Sequence, residues 1–217
     1  MRILIVVLSL VVMAGCVTRP QMNREEWLAT TSRTYQGVTK DQVLIAGEKL
    51  FRLADGDDFL IVHTDDGLYA TRIWSVYLVL AAAMGTDYWT IKTAHVDGGI
   101  RASVQVNSQS QAITPMPTTG QDWTAGTTPM AGSPVMGTAI YDVFWARMDY
   151  LLGKSQEWMP CSVSNARMKQ RVVWGTNEAL CNSFNLKDAH PNPPPAPPCN
   201  AAKVAGVRNL TSSCEPH

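Results

Sequence analysis

Two acidic, glycine-containing turn signals constrain the fold of this chain most strongly: Asp65-Asp66-Gly67 and Asp97-Gly98-Gly99. Turns of this kind join adjacent antiparallel strands, because glycine readily adopts a positive φ. Strand-like stretches flank them at residues 59–63, 68–79, 88–96 and 100–107. Apolar and polar residues alternate along the last two stretches, which is typical of a sheet with one solvated face. The sequence therefore predicts an antiparallel meander of about four strands.

The middle of this strand region is less well determined by the sequence. A further turn is predicted at Gly85-Thr86-Asp87. The apolar run 76–84 suits either the end of a strand or a buried helical turn, because a short apolar stretch does not distinguish them. As a strand, residues 68–79 would direct four side chains to the interior, namely Ala70, Trp74, Val76 and Leu78.

Two amphipathic helices are predicted, one on each side of the strands in sequence. Thr39 and Gln42 have the spacing of a capping box, in which each side chain bonds to the other residue's amide. Apolar residues at intervals of three and four then predict a helix over about 40–53. A second helix is predicted over about 138–152, with Gly153 as its C-terminal stop. The predicted fold class is α+β, with the meander sheet packed against both helices.

The remaining residues divide into connecting segments around a predicted α+β domain at 39–154. Residues 16–38 are polar and are interpreted as a tether, within which a short helix at about 24–32 is one option. Residues 108–136 are rich in Ser, Thr, Pro and Gly, and are predicted to form a long mobile loop. Residues 155–217 are predicted to be a disulfide-stapled extension, with a polyproline spacer at 191–198.

Charge and composition exclude some classes of partner. The chain has 18 basic and 18 acidic residues, and charged residues make up only 17 % of it. Its Lys and Arg residues are scattered, without the basic stripe of a nucleic-acid-binding protein, so no nucleic-acid partner is expected. Hydrophobic residues make up 46 % of the chain, which is sufficient for a packed core.

The N-terminus has the organisation of an export signal. Arg2 supplies a positive charge, residues 3–12 are apolar except for Ser9, and small residues follow at Ala14 and Gly15. This order is typical of a secretory signal peptide. The apolar run is shorter than the roughly 20 residues that a membrane-spanning helix needs. Residues 1–15 are therefore interpreted as a cleaved signal peptide.

The residues Met13-Ala14-Gly15-Cys16 resemble the lipobox of bacterial lipoproteins, with Met13 in place of the usual Leu. The resemblance covers only about the first 16 residues. It implies that Cys16 receives a diacylglycerol and that the signal is cut before it. Attachment by two or three acyl chains would be stable, whereas one chain alone binds a membrane only marginally. Val17 stands where enteric lipoproteins retained in the inner membrane carry Asp, which favours the outer membrane, facing the periplasm.

With Cys16 assigned to lipid, four cysteines remain at positions 161, 181, 199 and 214. Disulfides are expected in an exported protein, and four cysteines permit three pairings. The polyproline spacer favours the sequential pairing of Cys161 with Cys181 and Cys199 with Cys214. The alternative is a metal site, but no C-x-x-C pair is present. We expect neither a metal nor a cofactor.

Two histidines are the candidates for chemistry. His63 is followed by Asp65 and Asp66, and His95 is followed by Asp97, and a His–Asp pair can act as a general base. Each histidine also ends a predicted strand, where its imidazole would simply be solvated. No motif of a known hydrolase or phosphate-binding loop accompanies them. Catalysis by these histidines requires that both lie near one cleft.

Seven tryptophans are many for this length, and two lie outside the predicted core elements. Trp123 is in the predicted loop, and Trp158 follows the second helix. Exposed tryptophans would suit contact with a partner or a glycan, since Trp is enriched in binding hot spots. The alternative is that they fold back onto the domain.

The sequence thus favours a non-enzymatic, lipid-anchored protein of the cell envelope, with a structural or interaction role and an envelope protein as its partner. An accessory role in an envelope or secretion assembly is an analogy with other lipoproteins. The alternative is a periplasmic hydrolase or a small-ligand-binding protein that uses His63 or His95.

Overall fold

A computed structural model of the chain describes residues 22–55, 58–78, 81–117 and 123–181. Within these ranges the fold is α+β, with a six-stranded antiparallel sheet and four helices. The fold class predicted from the sequence is confirmed, but the predicted numbers of about four strands and two helices are too low. The signal peptide, Cys16 and the polyproline spacer 191–198 lie outside the described residues.

The chain begins with a short helix and a strand. Helix α1 spans Arg24–Thr31 and strand β1 spans Ser32–Tyr35. A capping box between Asn23 and Glu26 begins α1. Residues 24–35 therefore belong to the folded domain. The prediction that the tether extends to residue 38 is wrong for these residues.

Helix α2 spans Lys40–Asp55 and confirms the capping prediction. The Gln42 amide donates to Thr39 Oγ1 at 3.2 Å, and the Thr39 amide donates to Gln42 Oε1 at 2.8 Å. Gly47 faces the sheet, where an added Cβ would lie 2.7 Å from the Ile91 side chain. The absence of a side chain at this position lets α2 approach the sheet closely.

Strands β2 to β6 form the body of the sheet, and they span Phe59–Thr64, Gly67–Leu78, Ala81–Val96, Gly99–Pro117 and Trp123–Pro134. The strand order is β1-β5-β4-β3-β2, and β6 pairs with the distal part of β5. The turns before Gly67 and at 97–99 join neighbouring strands, as predicted. The described residues of the run 76–84 lie in strands β3 and β4. They do not form the buried helical turn that the sequence also allowed for this run.

Two sequence predictions fail in this region. Residues 108–136 were expected to be a loop, but most of them belong to the paired strands β5 and β6. Gly85 and Asp87 were expected in a turn, but both lie within β4. Gly85 is opposite Trp74, and an added Cβ would collide with the Trp74 ring and with the Gln109 backbone oxygen. The glycine is thus explained by close packing rather than by a turn.

Helix α3 spans Thr138–Leu151, and helix α4 spans Cys161–Lys169. Gly153 follows α3 with φ of 68°, so the predicted stop is confirmed. The core lies between one face of the sheet and α2 and α3. Its centre is a group of four aromatic rings, in which the centroids of contacting pairs are 4.9–6.3 Å apart: Phe51, Phe59, Trp89 and Phe144.

The predicted pairing of Cys161 with Cys181 is confirmed by a disulfide between them. Cys199 and Cys214 lie outside the described residues. The chain just before Cys181 packs against the domain, and Ala179 and Leu180 belong to the main hydrophobic core. This part of the predicted C-terminal extension is therefore integrated into the fold.

Candidate functional site

One row of polar residues crosses the inner face of the sheet. The strand register places Arg72 of β3 opposite Asp87 of β4, and Asp87 opposite Ser108 of β5. The residues of such a row lie on the same face and are close enough to interact. Ser108 Oγ donates a 2.7 Å hydrogen bond to Asp87 Oδ1, and Arg72 Nη1 lies 3.7 Å from Asp87 Oδ2.

Both charged side chains of this row are nearly fully buried, with 4 % and 8 % of their surface exposed. Burial raises the pKa of the Asp87 carboxyl, against the opposing effects of the Ser108 hydrogen bond and the Arg72 charge. Glu178, which belongs to the C-terminal segment, adds a second negative charge that also raises this pKa. Perturbed carboxylates of this kind are enriched at functional sites, although structural ion pairs produce them too.

The row opens onto a cavity of about 430 Å³. Strands β3 to β5 form its floor, Ile140 of α3 lies at one side, and residues 176–179 form another wall. Its apolar lining includes Trp74, Val76 and Val106. The volume lies in the range of roughly 300–1,000 Å³ that is usual for small-molecule sites.

Backbone contacts hold the C-terminal wall of the cavity. The Ala139 amide donates to Trp174 O at 2.9 Å, and the Trp174 amide donates to Thr138 Oγ1 at 3.0 Å. Gly175 has φ of 95°, and its Cα would lie only 2.7 Å from a Cβ added at Gly137. Side chains at either glycine would force the wall away from α3.

The two candidate histidines lie apart. His63 Nε2 is 2.7 Å from Glu48 Oε2, and Arg52 Nε donates to Glu48 Oε1 at 2.8 Å. Burial raises the pKa of Glu48, but the hydrogen bonds from His63 and Arg52 outweigh it, and the pKa is lowered overall. The partner of His63 is thus a glutamate on α2 rather than Asp65 or Asp66.

His95 is exposed and lines a separate surface depression with Lys40 and Asp41. The register places Ile91 of β4 in the same row as His63, two strands away, and His95 is four residues further along β4. Strand spacing and residue rise put the two histidine Cα atoms roughly 16 Å apart. They share no cleft.

The opposite face of the sheet carries large hydrophobic side chains. The register groups six such residues, here called the open face: Leu60, Tyr69, Ile73, Tyr77, Met84 and Tyr88. Their exposures range from 40 % to 78 %. An antiparallel sheet with a solvated face normally directs polar residues outward.

Charge is sparse around the open face. Among the described strand residues that share this face on β2 to β5, the charged ones are Lys92 and Arg101, and none is a carboxylate. Thr, Ser, Gln and Asn occupy most of the other positions. The surface is therefore apolar and hydrogen-bonding. Of its two cations, Lys92 has its Nζ 3.6 Å from the carboxylate of Asp66 in the adjoining turn.

Two tryptophans, Trp158 and Trp123, are predicted to contact a partner, and the structure tests this prediction only for Trp158. Trp158 is buried, with its ring beneath the Arg147 guanidinium at 4.9 Å and against Tyr150 at 5.5 Å. It folds back onto the domain, so the prediction that it contacts a partner is wrong. Trp123 begins β6, and its side chain lies outside the described structure.

Within the described part of the chain, no group of three or more His, Cys, Asp or Glu side chains is placed to hold a metal ion. No helix within the same residues is both long and apolar enough to cross a membrane. Comparison with protein-family models, with curated proteins and with solved structures finds no match to this chain.

Proposed function

We propose that this protein is a lipid-anchored component of the bacterial cell envelope, most favourably at the outer membrane facing the periplasm, and that it binds another envelope protein without catalysis. The lipobox-like residues ending at Cys16 support the anchor. The observation that carries the interaction role is the open face, because large side chains such as Ile73 and Tyr77 are 74 % and 78 % exposed. Contiguous exposed apolar surface of this kind often marks an interaction site.

The chemistry of the open face identifies the kind of partner. Tyrosine can stack on sugars, but Leu60, Ile73 and Met84 have no aromatic ring and contribute by hydrophobic burial. Such aliphatic side chains favour a protein surface over a glycan. No carboxylate stands among the described strand residues of this face, which favours a partner surface that is itself apolar and largely uncharged, since burying an unpaired charge is costly. The occupant is therefore an envelope protein with an uncharged, apolar contact region.

The anchor is tested by replacing the lipidated residue. Cys16→Ser should abolish palmitate labelling and signal cleavage at this position, because the acyl acceptor is removed. The measurement is metabolic labelling followed by membrane fractionation in the native bacterium, with Cys161→Ser as the cysteine control that retains the label. A Cys16→Ser protein that remains labelled, cleaved and membrane-bound would refute the anchor.

The docking face is tested with a photo-crosslinking amino acid at Tyr77, in the full-length protein and its own host. We expect one defined protein adduct that disappears when Ile73→Asp is added, because a charge in the contact would be desolvated. Val172 is the matched control, since it is 57 % exposed but lies outside the open face. The same adduct from position 172, or an adduct unaffected by Ile73→Asp, would contradict docking at this face. Sedimentation with purified peptidoglycan that Ile73→Asp abolishes would overturn the choice of a protein partner.

A further inference from the structure

Strand β3 extends beyond the strand that pairs with it on one side. Strand β2 pairs with Gly67–Arg72 and begins opposite Arg72, whereas β3 continues to Leu78. Within the described residues, no strand pairs with Ile73–Leu78 on this side. This stretch of β3 is here called the free edge. Unpaired backbone groups along a strand edge are a template for pairing with another strand.

One hydrogen bond at the other end of β3 shows which backbone groups reach the free edge. The Thr93 amide of β4 donates to Asp66 O at 3.1 Å, and the β3–β4 register that follows is uninterrupted. Successive residues of an antiparallel strand bond to opposite neighbours, so the even-numbered residues of β3 bond to β4. Ile73, Ser75 and Tyr77 therefore direct their N–H and C=O groups to the free edge. All three residues are exposed.

The free edge also lacks the residues that normally protect such edges. No charged residue, histidine or proline occurs in the sequence between Arg72 and Asp87. Natural proteins usually place charges or prolines on exposed edges, because these prevent pairing with other chains. The free edge is therefore suited to pairing with another strand.

Strand β6, at the opposite side of the sheet, has this protection. The Val135 amide donates to Val106 O at 2.9 Å, so the even-numbered residues of β5 bond to β6. Pro129 lies opposite Gln111, an odd-numbered residue of β5, so its nitrogen is directed away from β5. A proline nitrogen carries no hydrogen, which blocks pairing at this point. The outer edge of β6 is therefore a poor partner for the free edge.

The free edge is complementary to itself in a second copy of the chain. Two copies related by a two-fold axis at Ser75 would pair antiparallel, with Ile73 of one copy opposite Tyr77 of the other. The contact would bring no charged side chains together, because the free edge carries none. Strand β2 of the second copy would not compete for this space, because it pairs only as far as Arg72. A symmetric contact of this kind closes as a dimer.

We propose that the protein forms a two-fold symmetric dimer by antiparallel pairing of the free edges of two copies. The backbone groups of Ile73, Ser75 and Tyr77 make the contact, so the side chains of the open face remain available. An axis perpendicular to the sheet places the open faces of both copies on the same side, where they form one surface. The dimer does not depend on what binds that surface, so it goes beyond the function proposed above.

Dimerisation is measured by sedimentation equilibrium of the full-length protein in density-matched detergent, over a range of protein concentrations. We expect a reversible monomer–dimer equilibrium. Ser75→Pro removes an outward N–H from each copy, so two intermolecular hydrogen bonds are lost while the bonds to β4 remain. Ser75→Lys places two like charges opposite each other across the axis. Each variant should weaken dimerisation at least about tenfold, which corresponds to 1.4 kcal/mol.

Two control variants should leave the dimer unchanged. Ser75→Ala keeps the N–H and adds no charge, and Val172→Lys adds a charge at an exposed residue outside the sheet. Circular dichroism checks that each variant is folded, and Ser75→Lys decides the outcome if the proline variant is not. A wild-type protein that is monomeric at every concentration, a trimer or larger assembly, or a dimer unaffected by Ser75→Lys would each overturn the proposal.

Discussion

Arg147 offers the sharpest test of how the C-terminal segment is held. Its side chain is fully buried on α3. Its Nε donates to Met159 O and its Nη1 donates to Leu180 O, both at 3.1 Å. The guanidinium also lies over the Trp158 ring. One side chain therefore joins the helix to two separate parts of the following chain.

The cost of replacing Arg147 follows from these contacts. A hydrogen bond from a charged donor to an oxygen contributes about 1.5–3 kcal/mol. Arg147→Met loses the two bonds to backbone oxygens, and also the weaker ones from Nη2 to Cys161 Sγ at 3.1 Å and Cys181 Sγ at 3.6 Å. The same change removes a buried charge, whose desolvation costs several kcal/mol and offsets part of the loss. We expect Arg147→Met to lower the free energy of unfolding by about 2–3 kcal/mol. Arg147→Lys keeps the buried charge but loses the planar fork, so we expect a larger loss of about 3–5 kcal/mol.

The assay is urea unfolding followed by far-ultraviolet circular dichroism, with the midpoint and slope fitted for each variant. Arg33→Met is the matched control, because Arg33 also lies over an indole ring, that of Trp145, but its side chain is 43 % exposed. That control should cost no more than about 1 kcal/mol. If Arg147→Lys is as stable as the wild type, the planar guanidinium group is not required and the argument is refuted. An Arg147→Met variant no less stable than the control would refute the conclusion that the hydrogen bonds of Arg147 stabilise the fold.

Three other expectations use the same unfolding assay. Replacing both Cys161 and Cys181 by Ser should cost about 3 kcal/mol, because the disulfide closes a loop of about 20 residues. Glu48→Gln should cost about 1–2 kcal/mol at pH 7. Because the folded pKa of Glu48 lies below its ordinary value of 4.5, the wild-type advantage should be full above that value and disappear as the pH falls through the folded pKa. Gly85→Ala should cost about 1–3 kcal/mol, since its Cβ would overlap the Trp74 ring; a neutral effect in any of the three would contradict its stated cause.

The elements that the sequence predicted well are those determined by local chemistry. The capping pair at Thr39 and Gln42 begins α2 where expected, and Gly153 ends α3. The turns before Gly67 and at 97–99 set the register of their hairpins, because glycine and aspartate favour the backbone angles of tight turns. In each case the signal lies within a few residues of the feature it determines.

The elements that were missed depend on distant partners. Residues 108–134 are poor in the β-branched apolar residues that favour strands, yet most of them pair in β5 and β6. Their pairing is supported by the long neighbouring strand β4, which a local pattern does not show. Gly85 looked like a turn because its packing partner, Trp74, is on another strand.

The sequence does not reveal the polar row either, because its members come together only through pairing between strands. Arg72 occupies an inward position on β3, but an arginine in an alternating strand is usually exposed. The sequence around its partner Asp87 predicts a turn, so the local pattern does not place the two residues opposite each other on paired strands. Only the register from β3 to β5 brings Arg72, Asp87 and Ser108 together. The Glu48–His63 contact likewise requires the packing of α2 on β2.

The Cys161–Cys181 disulfide lies next to residues that form one wall of the cavity. Helix α2 covers the sheet around Ile91, whereas the cavity is walled partly by residues 176–179. Cys181 follows these residues closely, and its disulfide to Cys161 fixes them to the start of α4. Removing the disulfide should therefore loosen one wall of the cavity before the whole domain unfolds.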